Sequence, residues 1–453
     1  MNPLNRREFL KGSTALMSLA SFGLLGMDFK DRKGPLQVAL IGTGWYGKSD
    51  LFRLIQVADV EVVGLCDVDS IQLAEAGKLV ATRQKSGKVP PLYEDYKELL
   101  DKEKPEYVLV GTPDHWHALI AIAALKSGAH VYLQKPISVD VIEGEAILAA
   151  ARKYDRKVQI GTQRRSTPHL VQAKKEIIDT GKLGKISHAE VCCYYHMRNN
   201  SNPPVMPVPE NLNYDLWAGP APMLPYRGIL HRGWRAFMEY GNGIVGDMCV
   251  HMLDAVRWML DLGWPLQVTS TGGIYVQKDS VANISDTQTA LFEFDELNVV
   301  WQHRTWGNPV DKDYPWAFKI YGENGMLAGS PMRADYYPDG RGEAIHYDVV
   351  LEKEQYPEDV TEKDNEVHAA PATREQMRDW LKAIENDTLP VADVLEGHIS
   401  TASCILANMS MELDGRPLRY NPKTMTVEGD EEATALLRRP YRDGYIHPEP
   451  DQI

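Results

Sequence analysis

The stretch Gln37-Val-Ala-Leu-Ile-Gly-Thr-Gly-Trp-Tyr-Gly47 decides the fold. An apolar run, Val38 to Ile41, leads into Gly42, Gly44 and Gly47 at G-x-G-x-x-G spacing. A second, mostly apolar run, Val60 to Cys66, ends at Asp67, about twenty residues past the turn. The pattern reads as a strand, a tight turn, a helix start and a second strand tipped with an acid. Each part suits a dinucleotide. Gly42 permits the turn, Gly44 lets pyrophosphate approach the backbone, and Gly47 lets helix and strand pack closely. The helix start offers unpaired N–H groups to phosphate. Thr43, Trp45 and Tyr46 lie in the same turn. Asp67 suits both ribose hydroxyls and repels a 2′-phosphate, which favours NAD over NADP.

Working outward, strand and helix patterns alternate from Gln37 to about Thr162, with strands at Gln37–Ile41, Val60–Cys66, Tyr107–Gly111, His130–Leu133 and Lys157–Gly161. Alternation predicts a parallel sheet covered by helices, with ligands beyond the carboxyl ends of its strands. Thr112, Asp114, His117, Gln134, Lys135, Gln163 and Arg164 follow those ends. After Thr162 come a helix, a strand-like run Ile186–Tyr195, a long Pro- and Asn-rich stretch Asn199–Tyr226, and four alternating runs between Leu266 and Tyr321. Consecutive strands predict an α+β domain with a mostly antiparallel sheet. Helices over Thr373–Asn386 and His398–Leu413 are expected to cover it. The fold class is therefore α/β, a Rossmann-type domain followed by an α+β domain. Residues 1–36 read as signal and linker, 37–162 as the dinucleotide domain, 163–420 as the substrate and oligomer domain, and 421–453 as an irregular tail packed on both.

The 453 residues are 43% hydrophobic and carry a net charge of −14. That charge argues against nucleic-acid partners and anionic membrane surfaces. Five cysteines without C-x-x-C spacing indicate neither a disulfide framework nor a zinc knuckle. Adjacent Cys192 and Cys193 point to opposite faces of a strand. At the N-terminus, Arg6-Arg7-Glu-Phe-Leu-Lys11 precedes a mildly apolar stretch, Gly12–Met27, too short and polar for a membrane span. This resembles a twin-arginine export signal and predicts a periplasmic or otherwise exported protein.

Chemistry is expected at Lys135, which sits at a sheet edge, and at Asp247 and His251. These two are four apart and so share a helix face, which Asp254 continues. A His held by an Asp suits a general base. Structural roles, as helix cap and core histidine, fit the same spacing. Arg164 and Arg165 suit substrate oxygens or phosphate, and Trp234-Arg235 suits the cofactor phosphates. Tyr194, Tyr195, His196, Arg198 and Tyr226 suit a sugar pocket. No tight ligand spacing supports a metal at His251, Asp247 and His196.

These residues resemble the Gfo/Idh/MocA family (glucose-fructose oxidoreductase, inositol dehydrogenase). The carrying motifs are GTGWYG, Gly111-Thr-Pro-Asp-His-Trp-His117, Gln134-Lys-Pro136, Gly161-Thr-Gln163, Trp234-Arg235 and Gly246-Asp-x-x-x-His251-x-x-Asp254. Asp215-Leu-Trp-x-Gly-Pro-x-Pro222 and Leu437-Arg-Arg-Pro-Tyr-Arg442 resemble its exported members. The resemblance implies tightly held NAD(H) or NADP(H), a pyranose or polyol substrate, and a dimer or tetramer built on the second sheet. It assigns Lys135, Asp247 and His251 to catalysis. Gln134 departs from the Glu of the family's E-K-P motif and removes a negative charge beside the lysine. Retention of Lys135 weighs against the family's glycosidase-like branch. Three functions stay open: an oxidoreductase acting on a sugar or glycoside hydroxyl, an NAD-cycling glycosidase or lyase, and an inactive sugar-binding protein.

Overall fold

The computed structural model describes residues 34–194, 198, 201–228, 233–361 and 367–453. The twin-arginine stretch and His196 lie outside them. Six strands form the first sheet: β1 (Leu36–Ile41), β2 (Val60–Cys66), β3 (Leu92–Tyr93), β4 (Tyr107–Val110), β5 (His130–Leu133) and β6 (Val158–Ile160). Their order is β3-β2-β1-β4-β5-β6, and every pairing is parallel. The order reverses between β1 and β4, so a crevice opens at their carboxyl ends. The strands are near-continuous apolar runs because helices cover both faces; Val108, Val131 and Ile160 are fully buried.

The second sheet has eight strands: β7 (Ile186–Cys193), β8 (Gln267–Gly273), β9 (Thr287–Phe294), β10 (Leu297–Arg304), β11 (Trp316–Gly322), β12 (Gly325–Gly329), β13 (Arg333–Pro338) and β14 (Ile345–Asp348). They run β14-β13-β12-β11-β7-β10-β9-β8, antiparallel except for β7 against β10. Alternation sends Val191, Cys193, Trp301 and Phe318 into a core shared with Met252 and Val256 of the helix Val250–Leu260. Cys192 faces the other way, among Tyr314, Ala317 and Ala328, as its neighbour's position requires.

Two expectations change. The helix Ala370–Glu385 was expected over the second sheet, yet it packs on the first. Its Trp380 meets Tyr107 and Tyr132 edge-on or tilted, and Gln376 accepts from the Tyr132 hydroxyl at 2.7 Å while donating to the Ile160 carbonyl at 2.9 Å. Amphipathicity shows that a helix has a buried face, not which sheet buries it. The tail is also more regular than expected, with a small hairpin of Tyr420–Asn421 and Thr426–Val427 and a short helix Glu431–Ala435. Among the described residues, no helix is long and apolar enough to cross a membrane.

Candidate active site

The glycine turn is shaped by three different constraints. Gly42 has φ 92°, and a Cβ there would stand 2.5 Å from the Thr112 nitrogen. A Cβ on Gly47 would stand 2.1 Å from the Gly42 carbonyl, so this glycine serves packing. A Cβ on Gly44 would meet nothing within 4 Å: the backbone there faces open space. Gly44 begins the helix Trp45–Val57, whose first turn has neither a side-chain cap nor an acidic residue. Its N–H groups remain available to an anion. Asp67 is locked beside the turn. It accepts from the Thr43 nitrogen at 2.7 Å, the Thr43 hydroxyl at 3.0 Å, Gln72 Nε2 at 3.0 Å and the Asp69 nitrogen at 3.0 Å. An open cradle beside a fixed acid fits a dinucleotide, with Gly42–Tyr46 toward the phosphates and Asp67 toward a ribose.

This turn borders a cavity of about 590 Å³ that Gly42, Gly44, Asp67, Thr112, Trp234 and Arg235 line. A second cavity, of about 800 Å³, adjoins it and holds Asp114, His117, Gln134, Lys135, Gln163, Arg164, Asp247 and His251. Trp45, Tyr46, Thr112 and Arg235 belong to both, so the two form one continuous space. Thr43 and Gly47 line neither and act through Asp67 and packing.

Lys135 lines the second cavity beside Asp247. Its ammonium donates to Asp247 Oδ1 at 2.5 Å and to the Asp247 carbonyl at 2.9 Å. Arg235 Nε lies 3.4 Å from the other carboxylate oxygen. Burial opposes the Asp247 charge, but Lys135 and Arg235 outweigh it and hold the carboxyl below its ordinary range. Asp114 shares the cavity with opposite balance: burial, reinforced by Asp247, pushes its carboxyl well above the usual range. Gln134 donates through Nε2 to the buried Asp50 at 2.6 Å, while its Oε1 accepts from the Lys135 backbone nitrogen at 3.4 Å. Burial raises Asp50 to about 8, against the opposing Gln134 and Arg53.

His251 is not held by Asp247, as its spacing suggested. The turn Val245–Cys249 is π-helical, and Asp247 is taken by two cations. His251 is set instead by packing, edge-on to Trp316 at 5.3 Å, with a buried Nδ1 that has no hydrogen-bond partner. Burial, with Lys135 and Arg164 adding, drives its pKa well below the usual value. It is a neutral imidazole in a cationic setting, able to take a proton. The His117 ring nitrogens lie 2.7 Å from the Pro136 carbonyl and 3.0 Å from that of Thr112, so this residue braces two strand-end loops. Gln163 donates to the Tyr46 hydroxyl at 2.6 Å. The Arg164 guanidinium lies 5.7 Å from the Trp316 ring centre.

Other expected site residues prove structural. Arg165 grips Asp254 at 2.8 and 2.9 Å and Glu396 at 3.1 Å, which also removes Asp254 from the catalytic face. Tyr226 lines neither cavity; it packs against Tyr214 in an apolar cluster with Trp217 and Tyr240. Arg198 donates to the carbonyls of Ile284, Gln277 and Ala282. Tyr194 donates to Gln302 at 3.1 Å. Conversely, Asp313, Trp316, Ser330 and His368 enter the second cavity from loops, a strand start and a short 3-10 helix that carry no motif.

A doubly wound sheet with this glycine turn, opening onto a cavity walled by a second α/β layer, defines a two-domain dinucleotide-binding protein of the oxidoreductase type. Two family models match: the oxidoreductase family's NAD-binding Rossmann fold over residues 36–162 and its C-terminal alpha/beta domain over residues 171–286. Together they span more than half of the chain, which belongs to the Gfo/Idh/MocA oxidoreductase family. It is similar to inositol 2-dehydrogenase of Salmonella paratyphi B, 33% identical over 152 residues, covering 33% of this chain and 43% of the relative. It is also similar to a glycosyl hydrolase family 109 protein of Stenotrophomonas maltophilia, 28% identical over 234 residues, covering 47% and 48%. The matches thus span less than half the length of these relatives. Among solved structures, an oxidoreductase from Agrobacterium radiobacter in complex with NAD+, L-tartaric acid and magnesium shares the fold. It has a TM-score of 0.64 at 15% identity and covers 85% of this chain and 98% of that one.

Proposed function

We propose that this protein is an NAD-dependent oxidoreductase acting on a hydroxyl of a sugar or glycoside. The observation that carries the reading is that the cavity bordered by the glycine turn shares Trp45, Tyr46, Thr112 and Arg235 with the cavity that holds Lys135 and neutral His251. Bound dinucleotide supplies the hydride acceptor or donor. In the oxidation direction His251 takes the hydroxyl proton as the carbon–hydrogen bond breaks. The Lys135 ammonium, fixed by Asp247, donates to the reacting oxygen and steadies the charge developing on it. Trp316 offers an apolar face to a ring, and Arg164 a donor. Asp67, an acid beside the turn that would repel a 2′-phosphate, supports NAD rather than NADP.

The Arg6-Arg7 signal supports export of the folded protein with its cofactor loaded beforehand, since free NAD is scarce outside the cytoplasm. The dinucleotide would then be a prosthetic group regenerated in place, and the outer face of the second sheet would support a dimer or tetramer. Scanning sugars and glycosides against the loaded protein at the nicotinamide absorbance tests the reading. The expected result is a spectral change with one substrate class and none with His251→Ala. Demonstrated cofactor binding with no response to any of them would count against it. The similarity to a glycosyl hydrolase family 109 protein supports a second reading, transient oxidation that cleaves the glycoside; aglycone release without net NADH would select it.

A further inference from the structure

The last segment of the chain reaches the cofactor cavity. Tyr445 lines it together with Asp67, Asp95 and Tyr96, and the Trp116 ring lies against both Tyr96, at 5.8 Å between ring centres, and Tyr445. The Asp443-Gly444 turn brings it there: Gly444 has φ 92°, and the Tyr445 nitrogen donates back to the Arg442 carbonyl at 3.2 Å. The Tyr445 ring meets the Trp116 indole edge-on at 5.6 Å, and the Arg442 guanidinium lies 5.6 Å from its centre.

The segment is fastened at both ends of this turn. Arg442 donates to the Gly219 carbonyl at 2.9 Å and to Asp215 at 2.7 Å, tying the tail to the helix Tyr214–Ala218. That helix gives Leu216 and Trp217 to the same cavity, and its Leu216 and Trp217 carbonyls both accept from Trp116 Nε1 at 3.1 Å. Upstream, Arg439 donates to the carbonyls of Met238 and Gly241 at 2.6 and 3.0 Å, just before the turn that carries Asp247. Downstream, His447 bonds Asp140 at 2.9 Å. The group of Asp140, Glu143 and His447 has metal-like spacing, but its oxygens are occupied by Arg439, Tyr441, His447 and backbone donors; it is an anchor for the tail.

In a doubly wound sheet the acid after β2 marks the adenosine end of the dinucleotide. Tyr445 lines the cavity that holds Asp67 and not the one that holds Lys135 and His251. We propose that Tyr445 is a cofactor-binding residue that closes the adenosine end of the cavity, and that Arg439–His447 is the clasp that retains the dinucleotide. This rests on the dinucleotide-dependent reading above and gives it a structural cause for tight holding: the cofactor leaves only when the chain's own tail lifts.

The test is NADH release from the loaded full-length protein, followed by loss of bound-NADH fluorescence after mixing with excess NAD. Tyr445→Ala should release NADH at least about tenfold faster, the scale of one lost aromatic contact, and Arg442→Met should also be faster. Tyr445→Phe, which keeps the ring, should release NADH more slowly than Tyr445→Ala, and Leu266→Ala, at an exposed residue that lines neither cavity, should match the native protein. Thermal melting of unloaded protein checks folding, and Tyr445→Leu takes the place of Tyr445→Ala if the latter does not fold. Native-like release from the Tyr445→Ala variant overturns the proposal, as does equal acceleration by Leu266→Ala. A native protein that takes up no NADH overturns the dinucleotide reading itself, a result distinct from either.

Discussion

The Lys135–Asp247 pair should couple stability and turnover in opposite ways. The two side chains are 9% and 6% exposed, so neither charge is solvated once its partner is removed. Asp247→Asn leaves a buried ammonium with an amide and a carbonyl; Lys135→Met leaves a buried carboxylate facing only Arg235 at 3.4 Å. Each single change should cost about 3 kcal/mol or more, the usual penalty for stranding one half of a buried pair. The double variant strands neither charge, because Arg235 is 25% exposed and keeps water contact. Its loss should resemble one single change, which gives a coupling of about 2–3 kcal/mol. Urea unfolding of protein freed of dinucleotide measures this without a binding contribution. Turnover should not recover with stability: the double variant still lacks the ammonium at the reacting oxygen, so kcat should stay down by about 100-fold or more. Single losses that add to within about 0.5 kcal/mol would refute the pairing argument. Recovery of kcat in the double variant would refute the role given to Lys135.

Two further outcomes follow from local geometry. Gly44→Ala should leave the melting temperature unchanged while weakening NAD binding in titration calorimetry, because its Cβ meets only the space kept for the ligand. Gly47→Ala should lower stability itself, because its Cβ would stand 2.1 Å from the Gly42 carbonyl. Burial lowers His117 to about 4, against the opposing Pro136 and Thr112 carbonyls, so the unfolded chain binds its proton first as pH falls. The stability this lowered pKa supplies is present above about pH 6.5 and lost toward about pH 4. In denaturant melts His117→Gln should therefore lose about 2 kcal/mol less than the native chain between about pH 7 and about pH 5; parallel losses would place the titration elsewhere.

Much of the frame was legible in the sequence because it depends on short-range constraints. The glycine turn, the acid after β2 and the alternation up to Gly161 are set by backbone conformation and by period. Both read directly from neighbouring residues. The strands β8 to β11 were equally plain. What depends on distant partners was not: Trp380 has the same apolar face whichever sheet it meets, and Tyr226 is an aromatic in a long loop whether it binds sugar or packs on Tyr214. Trp316, Asp313 and His368 enter the second cavity without any local signal, and Tyr445 reaches the first through a tail with no strong periodicity.

The helix pair Asp247 and His251 shows how spacing can bring two residues to one cavity and still mistake their contact. Spacing of four proposes neighbours on one face, but it is blind to Lys135, which lies 112 residues away in the chain. In a buried site a carboxylate beside an ammonium and a guanidinium gains far more than one beside a neutral imidazole. Asp247 therefore goes to Lys135 and Arg235, and the π-helical turn that carries it accommodates the choice. This separates two roles that the sequence had merged. Asp247 fixes Lys135, the group proposed to steady the oxygen, while His251 is positioned by Trp316 and kept neutral by burial and by the cations around it. A base kept neutral this way has one ring nitrogen unprotonated across the physiological range, while burial and the same cations weaken its hold on a proton and favour passing it on.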